Sequence, residues 1–193
     1  MKIALQKPQA DYLDNYLLSI KKMPFNHPHV GYSKTILDGA GPKGYNLDNN
    51  KTDLGKGEAV FAQTKQSIKG WKMFDLNWVM LYPDTAPLEP GTIVAVCFRL
   101  FGIWWINSCE IVYTIDDENR FGFAYGTKDH VESGEEIFQV ETDEQGNVYY
   151  RIAAFSKPHF WLVKLFKPFA RSQQARFARQ SHQIMKSTIS KLH

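Results

Sequence analysis

The chain has 193 residues, the size of one domain with a short appendage. Hydrophobic residues make up 44% and charged residues 22%, a balance that excludes a disordered, collagen-like or coiled-coil protein. No uninterrupted apolar run reaches the roughly 18 residues needed to span a bilayer, and the first eight residues lack signal-peptide character. We therefore expect a soluble or at most peripheral protein with a cytoplasmic location.

The net charge of +3 is unevenly distributed along the chain. Residues 1–144 hold all 20 Asp and Glu and 14 Lys and Arg, whereas residues 145–193 hold nine Lys and Arg and no acid. A basic tail of this kind could bind a membrane surface through residues 157–191. The alternative is one long helix whose basic face meets the acidic segment 129–144. No nucleic-acid partner is expected, and the oligomeric state stays open.

The first third of the chain predicts two helices separated by irregular structure. Residues 11–23 place apolar side chains at helical spacing, which predicts a short amphipathic helix ending before Pro24. Residues 24–44 contain three prolines and four glycines and predict a loop. Weak alternation over 44–54 predicts a first strand. The apolar side chains of 58–74 fall on one helical face and predict a second helix.

The remaining sequence predicts a meander of strands followed by a helix. Short runs rich in β-branched and aromatic residues alternate with turns, and the connections are too short for crossover helices, so the strands are antiparallel. From Ser156 a helical recurrence predicts a long C-terminal helix, which Pro168 should kink or interrupt near Lys164. A sheet of about seven strands under such a helix predicts an α+β fold with an apolar cavity wherever the two do not close tightly. The six later strands are predicted at residues 77–82, 92–100, 103–115, 120–127, 136–142 and 148–155.

Five motifs carry a family resemblance: GKGEAVF from Gly55, Trp71, GFAYGT from Gly122, the segment 130–136, and AFS from Ala154. Together they resemble the domain of unknown function 1990 family, which is grouped with the START-like and pollen-allergen-like helix-grip superfamily.

The resemblance implies a helix-grip domain over residues 30–193, in which a curved antiparallel sheet of about seven strands packs against a long C-terminal helix. Residues 1–29 form an extra N-terminal helical extension and loop. Because the family is uncharacterised, the resemblance implies no activity. One departure lies near Ser133, where the family pattern has an arginine and one additional residue.

A short polar segment that includes the end of the predicted strand 120–127 and the loop after it is the densest candidate for chemistry. A histidine near carboxylates can act as an acid–base pair, so His130, Glu132 and Tyr125 are candidate catalytic groups. The alternative is a self-capping loop in which the carboxylates accept backbone N–H bonds. Oxygen ligation of a hard cation is a third alternative, but no metal site and no cofactor are assigned. The segment contains Tyr125, Thr127, Asp129, His130, Glu132, Glu135 and Glu136.

Charged residues inside apolar strands, among them Arg151, either line a pocket or lie on a solvated outer face. Aromatic side chains in the family motifs either line the cavity or fill the core. The candidate ligand-binding residues are Trp71, Phe123, Tyr125, Thr127, His130, Glu135, Arg151, Phe155 and Trp161.

These observations predict a protein that binds a small apolar or amphipathic, lipophilic ligand between the sheet and the C-terminal helix. The first alternative is an enzyme that acts on such a molecule with His130, Glu132 and Tyr125 as acid–base groups. The second is a membrane-surface or protein-interaction module that acts through the basic C-terminal helix.

Overall fold

The computed structural model describes residues 1–161 and 165–190. Its helices are α1 (Ala10–Ile20), α2 (Ser33–Ile36), α3 (Glu58–Lys69) and α4 (Lys167–Ile189), with a 3-10 turn at Lys72–Phe74 after α3. Its strands are β1 (Lys2–Ala4), β2 (Asn46–Lys56), β3 (Val79–Tyr82), β4 (Ile93–Leu100), β5 (Ile103–Asp116), β6 (Arg120–Thr127), β7 (Glu132–Thr142) and β8 (Asn147–Pro158).

The strands form one curved antiparallel sheet in the order β2-β8-β7-β6-β5-β4-β3. Strand β1 lies off this path and pairs with residues 104–106 of β5, beyond the part of β5 that pairs with β6. The predicted α+β helix-grip architecture is confirmed: a sheet of seven to eight strands, a long C-terminal helix and a short N-terminal helix.

Helices α3 and α4 cover one face of the sheet, called the inner face here. The C-terminal half of α4 closes on the sheet, whereas its residues 167–177 are exposed or only half-buried. Alternate residues of each strand point to opposite faces, so the inner face receives every second side chain. The buried residues of α4 are Ala178, Ser181, Met185 and Ile189.

The N-terminal residues cover the opposite, outer face of the sheet. Helix α1 packs on β4 and β5, and α2 packs on β7 and β8. The prediction of a loop over 24–44 is therefore wrong for α2, because Ile36 is 1% exposed and belongs to a core cluster. A four-residue helix is too short to produce a helical period in the sequence.

The start of the C-terminal helix also differs from the prediction. Strand β8 continues through Ser156 to Pro158, because β7 begins at Glu132 and pairs with it there. Helix α4 begins at Lys167, which places Pro168 in its first turn. A proline is tolerated at that position because the first N–H groups of a helix have no intrahelical partner. The predicted kink or interruption near Lys164 lies outside the described residues.

The two cysteines lie on opposite faces of the sheet. Cys97 belongs to the outer cluster under α1, and Cys109 belongs to the inner core. Both are buried and free.

Candidate functional site

A cavity of about 730 Å³ lies between the inner face of the sheet and the N-terminal half of α4. It exists because α4 packs tightly only from Ala178 onward, leaving its first turns away from the strands. Its volume is within the range of about 300–1,000 Å³ typical of small-molecule sites. Its walls are mainly aromatic and aliphatic, with contributions from Phe74, Trp78, Val96, Phe98, Trp105 and Phe177.

The cavity has one polar wall, formed by the start of β7. Glu132, Gly134 and Glu136 are alternate residues of this strand, so they share the inner face and all three border the cavity. A Cβ on Gly134 would collide with the carbonyl oxygen of Phe155 on β8. Glycine thus allows the two strands to approach closely between the two carboxyl side chains.

Glu136 is held by the tyrosine opposite it on β6. The Tyr125 hydroxyl donates a hydrogen bond of 2.7 Å to Glu136 Oε2, and the two residues are register partners. Burial raises the pKa of Glu136 to about 7, although the Tyr125 hydrogen bond opposes this shift; the negative charge of Asp48 adds to it. Burial also raises the pKa of Tyr125 well above its ordinary value, so the hydroxyl stays protonated and acts as the donor.

Glu132 is the second cavity carboxyl. Its Oε2 atom is buried and has no hydrogen-bond partner among the described residues. Burial raises the pKa of Glu132 to about 7, with Asp48 adding to the shift and Arg171 and Lys167 opposing it. An unpartnered buried carboxyl oxygen is costly, which favours a site that a ligand group completes.

The basic face of α4 meets β2 at this end of the cavity. Arg171 donates to both carboxylate oxygens of Asp48, at 2.5 Å each. The acidic segment 129–144 instead supplies Glu141, which pairs with Lys51 and Arg151. Asp48 is thereby neutralised by its partner, whereas Glu132 and Glu136 form no ion pair among the described residues.

His130 borders the same polar wall but is held as a neutral ring. Its Nδ1 atom accepts a hydrogen bond of 2.9 Å from the backbone N–H of Glu132. Burial, with the nearby N-terminal amine, lowers the pKa of His130 to about 3. The three proposed catalytic groups are therefore close neighbours without forming a relay, since Tyr125 bonds to Glu136 and His130 bonds to backbone.

Two other cavity-bordering residues direct their side chains to the outer face. The Glu135 carboxylate accepts hydrogen bonds from the backbone N–H groups of Gly31 and Ser33 and from the Ser33 hydroxyl. The Phe155 ring packs against Tyr45, with ring centroids 5.3 Å apart. Both side chains thus hold N-terminal residues onto the sheet.

The remaining candidate ligand-binding residues lie in several places. Thr127 borders the cavity, and its hydroxyl bonds with Asn26 and with the Gly134 backbone. Trp71 and Phe123 lie in the inner core with ring centroids 4.6 Å apart. Arg151 binds Glu141 at 2.8 Å, and Trp161 is 62% exposed.

Several cavity residues were absent from the sequence prediction. Glu136 was recognised as part of the polar segment but not as a site residue, and Asp48 and Arg171 had no motif to mark them. Period-two alternation over 132–136 is the signal for the two carboxyls, but it is visible only when β7 is recognised to begin at Glu132. Within the described residues no three or more His, Cys, Asp or Glu side chains converge as a metal-holding group.

Comparison with models of known protein families shows the family of this chain. Residues 27–184 match the model described as domain of unknown function (DUF1990). The chain belongs to this family. A UPF0548 protein of Dictyostelium discoideum is 35% identical over 157 residues, covering 74% of this chain and 73% of that protein. The matched region contains the cavity carboxyls and most of α4.

Solved structures with similar folds belong to the helix-grip superfamily. A START superfamily protein from Mycobacterium smegmatis superposes with a TM-score of 0.51 at 10% identity, covering 78% of this chain and all of that one. A norcoclaurine synthase from Thalictrum flavum, solved in complex with a transition-state analogue, gives 0.50 at 10% identity, covering 80% and 100%. At these identities the likeness establishes the fold.

Proposed function

We propose that this DUF1990 protein binds a small apolar or amphipathic molecule in the cavity under α4. The observation that carries the proposal is the cavity itself: about 730 Å³ of mainly apolar space with a polar wall at one side. An opening of this size lined by aromatic residues is typical of small-molecule sites, which favours an occupant. A neighbour with the same fold that was solved with a small molecule adds support.

A cavity-filling substitution tests this proposal. Ala170 lies on α4 and borders the cavity, so Ala170→Phe places a ring inside the proposed binding space. We expect the affinity for the neutral fluorescent probe N-phenyl-1-naphthylamine to fall about tenfold. Ser172→Phe is the control, because Ser172 is exposed on the same helix. Equal probe binding by both variants and by the parent protein would place the probe elsewhere and contradict the proposal.

Acid–base catalysis on the bound molecule is a weaker proposal. Carboxyls whose pKa is near 7 suit general acid–base work at neutral pH. The hydrogen bonds favour Tyr125 and Glu136 for it, because neutral His130 contacts only the backbone of Glu132. Glu132 Oε2 has no hydrogen-bond partner among the described residues, so no relay reaches this atom. Binding is therefore the function that the geometry supports best.

A membrane-surface role is favoured by exposed apolar side chains at the cavity mouth. Phe101 and Phe169 stack with ring centroids 5.3 Å apart, and both border the cavity. Phe101 is 83% exposed and has a φ of 52°, a left-handed conformation that disfavours large side chains. The turn geometry therefore does not account for a phenylalanine there. Among the described helices none combines the length and the apolar character needed to cross a bilayer.

We propose that this mouth rests on an anionic bilayer, with the basic residues of α4 beside it. Phe101→Asn suits the left-handed turn, so we expect unchanged or higher stability but severalfold less co-sedimentation with phosphatidylserine-containing vesicles. Leu18→Asn, which changes an exposed leucine on α1, is the control. Co-sedimentation that does not change with salt concentration or with the anionic lipid content of the vesicles would argue against a membrane-surface role.

A further inference from the structure

The two carboxyl groups of the polar wall present unused hydrogen-bond acceptor atoms to the cavity. Glu132 Oε2 is buried without a partner among the described residues, and Glu136 engages only its Oε2 atom, with Tyr125. The guanidinium of Arg171 is occupied by both oxygens of Asp48. A ligand group that pairs with the ionised carboxyls of Glu132 and Glu136 must donate hydrogen bonds, and a positively charged donor gains most from them.

The opposite part of the cavity supplies an apolar surface for the body of the ligand. Phe98 on β4 and Trp105 on β5 are register partners on the inner face, with nearly parallel rings 6.2 Å apart. Both border the cavity. Strand β4 lies three strands from β7 in the sheet, which is about 14 Å at the usual strand spacing. The cavity thus joins carboxyl oxygens at one side to aromatic rings at the other, where the Trp105 Nε1–H is buried without a partner among the described residues.

We propose that the cavity binds an amphipathic organic amine as its ammonium ion, with the charged nitrogen between Glu132 and Glu136 and the apolar body over Phe98 and Trp105. This inference rests on the binding function proposed above and narrows its ligand class. The same carboxyls disfavour fatty acids and phosphate esters, because an anionic ligand group placed between them meets like charge.

Because Glu132 and Glu136 ionise near neutral pH, the affinity for an amine should depend on pH. Burial raises the pKa of Glu132 and of Glu136 to about 7 in the empty cavity, and a bound ammonium lowers both. An alkylammonium has an ordinary pKa of about 10.4, so the ligand stays charged while the carboxyls ionise. Amine affinity therefore rises between about pH 5.5 and 8.5, and amine binding near pH 7 releases protons.

The other titratable and charged groups facing the two carboxyls are Tyr125 on β6, Asp48 on β2, Arg171 and Lys167 on α4, and His130 before β7.

Isothermal titration calorimetry with three probes of equal chain length tests the ligand class. We expect decylamine to bind at least about tenfold more tightly than 1-decanol at about pH 8, and decanoate to bind most weakly. The double variant E132Q/E136Q is expected to lose the preference for the amine while keeping its affinity for decanol. E144Q removes one carboxylate charge from an exposed turn and is expected to keep the preference.

The outcomes separate this inference from the binding function itself. Equal binding of decylamine and decanol by the parent protein, or an amine preference that survives E132Q/E136Q, would overturn the amine proposal and leave cavity binding intact. If none of the three probes nor N-phenyl-1-naphthylamine binds, and native mass spectrometry finds no carried-through molecule, both proposals fail. Proton release on decylamine binding, measured in buffers of different ionisation enthalpy, supports the amine proposal.

Discussion

The free energy of unfolding of ligand-free E136Q is expected to exceed that of the parent protein at high pH. Relative to the difference between the two proteins at low pH, the excess is about 3 kcal/mol. Burial raises the folded-state pKa of Glu136 to about 7 from an ordinary 4.5. The unfolded chain therefore loses its proton first as pH rises. The stabilisation that protonated Glu136 gives the folded parent protein is fully present below about pH 4.5. It decreases as the pH rises toward 7 and is absent above that value. Gln carries no charge, and its amide oxygen still accepts the hydrogen bond from Tyr125.

Urea unfolding of both proteins at several pH values between about 4 and 8.5 measures this effect as a difference. The comparison isolates Glu136 from His27 and His130, whose pKa values burial lowers to about 4 and about 3 and which act in the opposite direction. E144Q is the control, since Glu144 is exposed and its replacement should give a constant difference. Parallel stability curves for the parent and E136Q would show that the carboxyl ionises in the folded protein at its ordinary pKa.

The strands of the meander were predictable because each combines alternation with a clear turn. The prediction of 120–127 coincides with β6, and that of 103–115 differs from β5 by one residue. The polar start of β7 was not predictable, because a run containing Glu132, Glu135 and Glu136 is typical of a loop. Its burial depends on α4 and on the N-terminal residues, which lie far away in the sequence.

The packing of the N-terminal residues on the outer face could not be predicted from the sequence for the same reason. The carboxylate of Glu135 accepts a hydrogen bond from Gly31, 104 residues earlier, and no local pattern encodes that contact. The aromatic motif residues divide between the two faces: Phe123 and Tyr125 face inward, and Phe155 faces outward. Alternation separates neighbours onto two faces, but it does not say which face encloses a cavity once helices cover both.

Phe155→Ala is expected to lower the free energy of unfolding by about 3–5 kcal/mol, the range for removing a buried aromatic ring. Phe155 is fully buried in the outer cluster, where its ring contacts Tyr45 at 5.3 Å and His27 at 5.6 Å between centroids. The substitution leaves a void between β8 and the N-terminal residues. Residues 27–45 should therefore become more accessible to proteolysis before the rest of the chain unfolds.

The same variant separates the two roles that Phe155 has, as a support for the N-terminal cover and as a neighbour of the cavity. We expect folded F155A to bind N-phenyl-1-naphthylamine within about threefold of the parent protein, because its ring is engaged on the outer face. Tyr45→Ala removes the opposite side of the same aromatic contact and should destabilise the protein in the same direction. A large loss of probe binding by F155A, with stability and proteolysis unchanged, would instead place the ring in the ligand site.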